Sequence, residues 1–216
     1  MRPSTAPLKP AGAAETQVDR YHYYHHERER APETDDLAHD RIRPTRTYSH
    51  ALLTWATARR AHSAARAASW AALGATLPDL PILAGTTWLA TRRLGRLSRA
   101  ELDTEVCARR LFRTPDTAFH SALPVATALV LYGTSAARYR RSESALLPLL
   151  LGWAGHVATD TLTHGSDARP LLWPLSSYRF HSPVSYRERE RYALPFTVAE
   201  HAAVLAALMS SRKHHS

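Results

Sequence analysis

The chain has 216 residues and a formal net charge of +9, with a sequence pI near 10.2. That charge is mostly arginine, scattered along the chain, with Lys9 and Lys213 as the lysines; it forms no clustered basic stripe, so nucleic acid is not an expected partner. Cys107 is the single cysteine, which excludes an intramolecular disulfide and a thiolate metal cluster, so any metal must be held by imidazole and carboxylate.

Residues 1–45 are polar, proline-bearing and poor in aliphatic side chains. Such a segment cannot bury enough apolar surface to offset its ordering entropy, and a disordered tail is expected. It lacks the apolar stretch of a secretory signal, and its many acidic residues argue against a mitochondrial presequence. The run Arg20-Tyr-His-Tyr-Tyr-His-His-Glu-Arg-Glu-Arg30 reads as a solvated charge run rather than a metal site.

A helical domain is expected over residues 46–211, followed by a short polar tail over 212–216. Ala51 to Ala72 is rich in Ala and Leu, with Arg59, Arg60 and Arg66 marking a wet face, which predicts helix. Ala67 to Thr91 carries one charge, Asp79, inside Leu77-Pro78-Asp79-Leu80-Pro81. The two prolines break the helix there and place Asp79 at a turn between apolar helices. Arg92 to Arg113 is polar and amphipathic, and Ser98 with Glu101 has the spacing of a capping box.

Thr117 to Ala137 carries no Asp, Glu, Lys or Arg, a run close to the ~20 residues that cross a bilayer. Arg138, Arg140 and Arg141 follow it, as the positive-inside tendency would place them. Ser144 to Thr159 is again free of those charges, Leu171 to Tyr192 is irregular, and Tyr192 to Ser211 is a final apolar helix interrupted by Glu200 and His201. The predicted fold is all-α, a bundle of about six helices. Three or four of them are apolar enough for a membrane. The mean hydropathy of -0.34 is that of a soluble protein, but the polar tail lowers it; a membrane-embedded chain is preferred to a soluble bundle.

Within these apolar segments lie His50, Asp79, His120, His156 and Asp160. An ionisable side chain in such a setting is costly unless something binds it. His156 and Asp160, in Gly152-Trp-Ala-Gly-His156-Val-Ala-Thr-Asp160, share one helix face at a spacing of four. An imidazole beside a carboxylate makes half of a metal site. His164 is an additional candidate ligand, next to Gly165. His181 is read as a loop residue, His62 as part of an arginine-rich face, Glu200 with His201 as a paired polar patch, and His214 with His215 as a solvated tail.

In order, the motifs are Tyr48-Ser49-His50, Leu77-Pro78-Asp79, Phe119-His120-Ser121, Gly152-x-x-x-His156-x-x-x-Asp160-x-x-Thr163 and Leu171-Leu172-Trp173-Pro174. This series resembles the membrane-bound metal-dependent hydrolase family, the YdjM-like, LexA-binding and inner-membrane-associated hydrolases, over Tyr48 to Pro183. That family is related to the zinc-dependent phospholipase C and single-strand nuclease group, helical proteins that hold zinc with His and Asp. The resemblance implies a multi-pass inner-membrane protein and a divalent metal, zinc, in one to three ions. Its ligands would be His50, Asp79, His120, His156 and Asp160. The implied substrate is a phosphoester, with membrane lipid as the expected partner. Metal-bound water would attack the ester, with Asp79 or Asp160 bridging two ions. The alternative is a non-catalytic membrane or zinc-binding protein with a degenerate site.

Two departures bear on this. Many relatives carry a second acidic residue where this chain has Pro81. Many also carry a His-Arg-Gly-x-Thr-His run where this chain has Thr114-Pro-Asp-Thr-Ala-Phe-His120, which brings in Asp116. Asp116 lies four before His120 and would replace a lost ligand if the segment is helical. His164 stands where relatives have a proline-like residue, so the resemblance does not supply it.

Overall fold

The computed structural model describes residues 46–61, 65–95, 97–139 and 145–212. The expected N-terminal tail, His62, His214 and His215 lie outside the described residues. Among the described residues the fold is all-α, and the sole extended pairing is an isolated bridge between Pro170 and Arg179. The absence of period-two alternation accounts for this.

Helix α1 (Thr47–Ala61) leads to α2 (Ala65–Thr76), which ends in a 3-10 turn (Leu77–Asp79). Pro78 and Pro81 enforce that turn, and Asp79 becomes the residue preceding α3 (Leu80–Arg92), as the sequence predicted. A short helix α4 (Arg99–Leu102) runs into a π turn (Asp103–Cys107) and then α5 (Arg110–Phe119). The Ser98 hydroxyl accepts from the Glu101 backbone N–H at 3.2 Å, while the Glu101 carboxylate accepts from the Ser98 N–H at 3.0 Å, closing the expected capping box.

Helices α6 (Ala122–Tyr139), α7 (Leu146–Thr163) and α8 (Ala193–Arg212) are the long ones. Each carries a proline in its first turn, Pro124, Pro148 and Pro195, where the missing N–H costs no intrahelical bond. Segment 164–192 between α7 and α8 is irregular apart from one 3-10 turn.

The bundle is tightest where α2 crosses α7. A Cβ added to Gly74 would overlap the Leu149 carbonyl, and one added to Gly152 would overlap the Ala71 carbonyl. Glycine is the one residue that lets these two backbones approach so closely. Beside this crossing, Val125, Leu150, Trp153 and Val157 form an apolar core between α6 and α7. Helix α8 lies parallel to α1. Arg46 bonds to Glu200 and Thr197, Tyr48 to His201, and Arg60 to Ser210, so the residue numbers rise together along both helices.

Two sequence expectations are corrected. The charge-free run from Thr117 to Ala137 is not one helix, because the chain turns at His120 and Ser121 between α5 and α6. The Ser121 hydroxyl donates to the Leu171 carbonyl at 2.8 Å, and the Ala122 N–H donates to the same carbonyl at 2.9 Å. These long-range bonds end one helix and start the next. Helix α6 then keeps only a short apolar stretch, Ala122–Ser135. Among the described residues, one helix rather than three or four is long and apolar enough to cross a membrane: α8, over Ala193–Ser210.

Candidate metal centre

The structure brings His50, Asp79, His120, His156 and Asp160 to one end of the bundle. Helix α1 supplies His50 from its first turn, the 3-10 turn supplies Asp79, the α5–α6 joint supplies His120, and α7 supplies His156 and Asp160. Asp160 is at the centre. Its Oδ1 lies 3.2 Å from His50 Nε2, and its Oδ2 lies 3.3 Å from His156 Nε2 and 3.4 Å from His120 Nε2. Asp79 Oδ1 faces His120 Nε2 at 3.6 Å. His50 and His156 lie ring to ring, with centroids 4.2 Å apart. Two triads have the spacing to hold a metal ion: His50, His156 and Asp160; and Asp79, His120 and His156.

The second nitrogen of two histidines is already committed. His156 Nδ1 donates to the Ala75 carbonyl at 2.6 Å, and His120 Nδ1 donates to the Asp116 carbonyl at 2.8 Å. Those bonds leave the Nε2 lone pairs turned toward the carboxylates, an orientation that suits ligation. His156 Nε2 and Asp160 Oδ1 are buried without a hydrogen-bond partner. Leaving such atoms unsatisfied is costly, and a bound cation is one way to satisfy them.

Around this cluster stands a ring of polar residues that the sequence did not single out as a group. The Thr47 hydroxyl donates to Asp79 Oδ2 at 2.5 Å. Burial works against ionisation of Asp79, but the His120 ring, the charge of His156 and the Thr47 hydroxyl outweigh it and hold the carboxyl below the usual aspartate range. Asp116 is helical and buried, yet it stands behind His120 rather than beside Asp79. Its Oδ1 is 3.4 Å from His120 Nδ1, and its Oδ2 accepts from Arg169 Nε at 2.7 Å.

His164 borders the cluster but belongs to neither triad. Its Nδ1 donates to the Asp160 carbonyl at 3.0 Å and its Nε2 accepts from the Tyr186 hydroxyl at 3.0 Å. Burial lowers the pKa of His164 and raises that of Tyr186, which fits this donor order. His181 bonds to the Gly165 carbonyl, and Glu200 and His201 serve the α1–α8 contact.

The cluster forms one wall of a pocket open to solvent, whose other walls include Arg46, Arg169, Arg187, Ile82, Leu171 and Phe180. Tyr186, Arg169 and Arg187 lie in the irregular segment, where neither periodicity nor spacing marks them.

The profile of the YdjM inner membrane protein family matches residues 46–214. The chain belongs to that family. The match spans every helix described above, from α1 to α8, and covers all the clustered residues. It thereby places this chain in a family of inner membrane proteins, in which α8 is the helix with the length and composition of a membrane span. No curated protein and no solved structure matches the chain.

Proposed function

We propose that this protein is a membrane-associated, metal-dependent hydrolase of phosphoesters, with phospholipids among its candidate substrates. The observation that carries the reading is the division of Asp160. One of its oxygens faces His50, and the other faces His120 and His156. His156 has only Nε2 to offer, because Ala75 takes Nδ1, so it can serve just one ion. Asp160, shared between the two sets of imidazoles, would then allow two ions to be held. Asp79, His120, His156 and Oδ2 would hold one, and His50 with Oδ1 the other.

The donor set is all imidazole and carboxylate, which suits zinc in open sites. When bound, the ions would act as Lewis acids and bring the pKa of water from ~15.7 toward ~7. The chain's own residues do the positioning. The Ala75 and Asp116 carbonyls fix two imidazoles, Thr47 orients Asp79, and Ile82, Leu171 and Phe180 give the pocket an apolar wall. Helix α8 crosses the membrane in this reading. The exposed leucines of α6 and α7, such as Leu131 and Leu151, lie against lipid.

The second reading is a non-catalytic zinc-binding membrane protein. It is favoured by the poorer ligand supply on the His50 side and by Pro81, which offers no ligand atom. Both readings meet the same experiment. The full chain is purified in detergent, its bound metal is measured, and hydrolysis of a panel of phosphodiesters, phosphomonoesters and phospholipids is followed with and without chelator. Chelator-sensitive hydrolysis supports the enzyme. Stoichiometric zinc with no turnover of any substrate supports the second reading. A chain without metal overturns both.

A further inference from the structure

Three arginines line the pocket, and each has an acidic partner: Arg46 with Glu200, Arg169 with Asp116, and Arg187 with Asp167. These pairs are neutral overall. Asp79 and Asp160 are then the surplus, two carboxylates facing imidazoles that must be neutral to ligate a metal. One divalent ion cancels that surplus, and two leave the pocket with two positive charges. A pocket in that state favours a dianion over a monoanion.

Arg169 is placed to meet it. Its Nε donates to Asp116 Oδ2 at 2.7 Å and its Nη1 to the Asp167 carbonyl at 3.0 Å. Those two bonds fix the plane of the guanidinium and leave Nη2 for a ligand. Arg187 reaches the same residue, with Nη1 3.1 Å from Asp167 Oδ2, so the two guanidinium groups meet at Asp167. Fixed, planar guanidinium groups are suited to phosphate oxygens. Asp116 is the common element, because it also stands behind His120 at the metal cluster.

We propose that Arg169, with Arg187 beside it, forms an anion subsite that takes the terminal oxygens of a phosphomonoester, the dianionic phosphate group, in the pocket that holds the metal cluster. This assignment rests on the two-ion reading above. It narrows the substrate class from phosphoesters in general to those that end in a free phosphate, whether on a lipid such as phosphatidic acid or on a soluble molecule.

The test is binding of inorganic phosphate to the zinc-loaded full chain in detergent, measured by calorimetry together with bound zinc. Arg169→Gln should weaken phosphate at least about tenfold with zinc content unchanged. Arg169→Lys keeps the charge but loses the planar fork, and it should bind with intermediate affinity; it also serves if the glutamine variant fails to fold. Phosphate affinity equal to wild type in both variants overturns the subsite. A wild-type chain that binds no zinc, but whose phosphate binding still falls in Arg169→Gln, overturns the metal reading and leaves the subsite standing. Two further arms separate the sources: phosphatidylcholine vesicles containing phosphatidic acid, and glycerol phosphate in solution. Arg169→Gln should lower binding in whichever arm reaches the pocket, and no loss in either arm overturns the proposal.

Discussion

His156 Nδ1 lies 2.6 Å from the carbonyl of Ala75, so the histidine at the centre of the cluster is bonded directly to the backbone of α2. One turn earlier, Gly152 lies against Ala71. Orientation of the imidazole therefore depends on how closely two helices approach.

Replacing His156 by Ala should remove a ligand nitrogen. Zinc affinity should fall by more than the ~10–100-fold typical of an outer-shell change. His181→Ala, which deletes an imidazole bonded to Gly165 instead, should leave zinc unchanged. Bound metal in the two variants, measured side by side, decides the matter. Equal zinc in both would make His156 a core histidine.

Gly152→Ala adds one methyl group where the Ala71 carbonyl already sits. Overpacking of this kind costs about 1–3 kcal/mol. The expected result is a lower melting temperature together with weaker zinc binding, because the helices must separate and carry His156 away from Ala75. A thermal melt and a zinc titration on the same sample check both. Gly133→Ala, at a position with open space around it, should change neither.

Asp116→Asn should lower zinc affinity about 10–100-fold, since a carboxylate behind a ligating histidine raises its basicity. Asn has nearly the size and shape of Asp, so circular dichroism should stay that of wild type. A zinc affinity equal to wild type would mean that Asp116 serves Arg169 alone.

In the metal-free chain, Asp79 has a carboxyl held below its usual range. A carboxylate whose folded pKa is depressed adds stability above its unfolded value of ~3.9, and that stability is lost as pH falls through the folded value. Denaturant melts should therefore weaken below about pH 4 in the wild type. Asp79→Asn should be less stable at neutral pH and show a flatter acid limb.

Val198 and Leu205 are exposed on α8. Replacing both by Asp should shift the chain from the membrane pellet toward the soluble fraction after an alkaline wash, because a charge near the centre of a span costs roughly 2.5–3.5 kcal/mol. High salt alone should release neither form, since screening acts on surface charges. Full retention of the double variant would remove α8 as the anchor.

The parts of the fold that were legible from sequence are those set by local chemistry. Pro78 and Pro81 announce the turn that carries Asp79, and a spacing of four places His156 beside Asp160. The break at His120 was not legible. It depends on bonds from Ser121 and Ala122 to Leu171, some 50 residues away, and the one local mark in the charge-free run is Pro124, in the first turn of α6. For the same reason the expected bilayer span fell in the wrong place. Arg169 and Tyr186 lie in a segment without periodicity, where their roles arise only from tertiary contacts with Asp116 and His164. The spacing of Asp116 from His120 marks it as a candidate, but whether it stands beside the cluster or behind a histidine is a matter of side-chain direction that spacing does not fix.

Arg46 is one of the side chains that tie α8 to the pocket, together with Phe196, whose ring stacks on Tyr186. Its guanidinium bonds to Thr197 and Glu200 on α8 and lies 4.6 Å from the centre of the Tyr186 ring, on the pocket wall. Tyr186 in turn holds His164, which is bonded to the backbone of Asp160. If α8 tilts to suit the thickness of the surrounding bilayer, Arg46 must move with it or let go. Lipid composition then acts on the pocket through Arg46 and Phe196, and zinc affinity measured in thin and thick bilayers would differ.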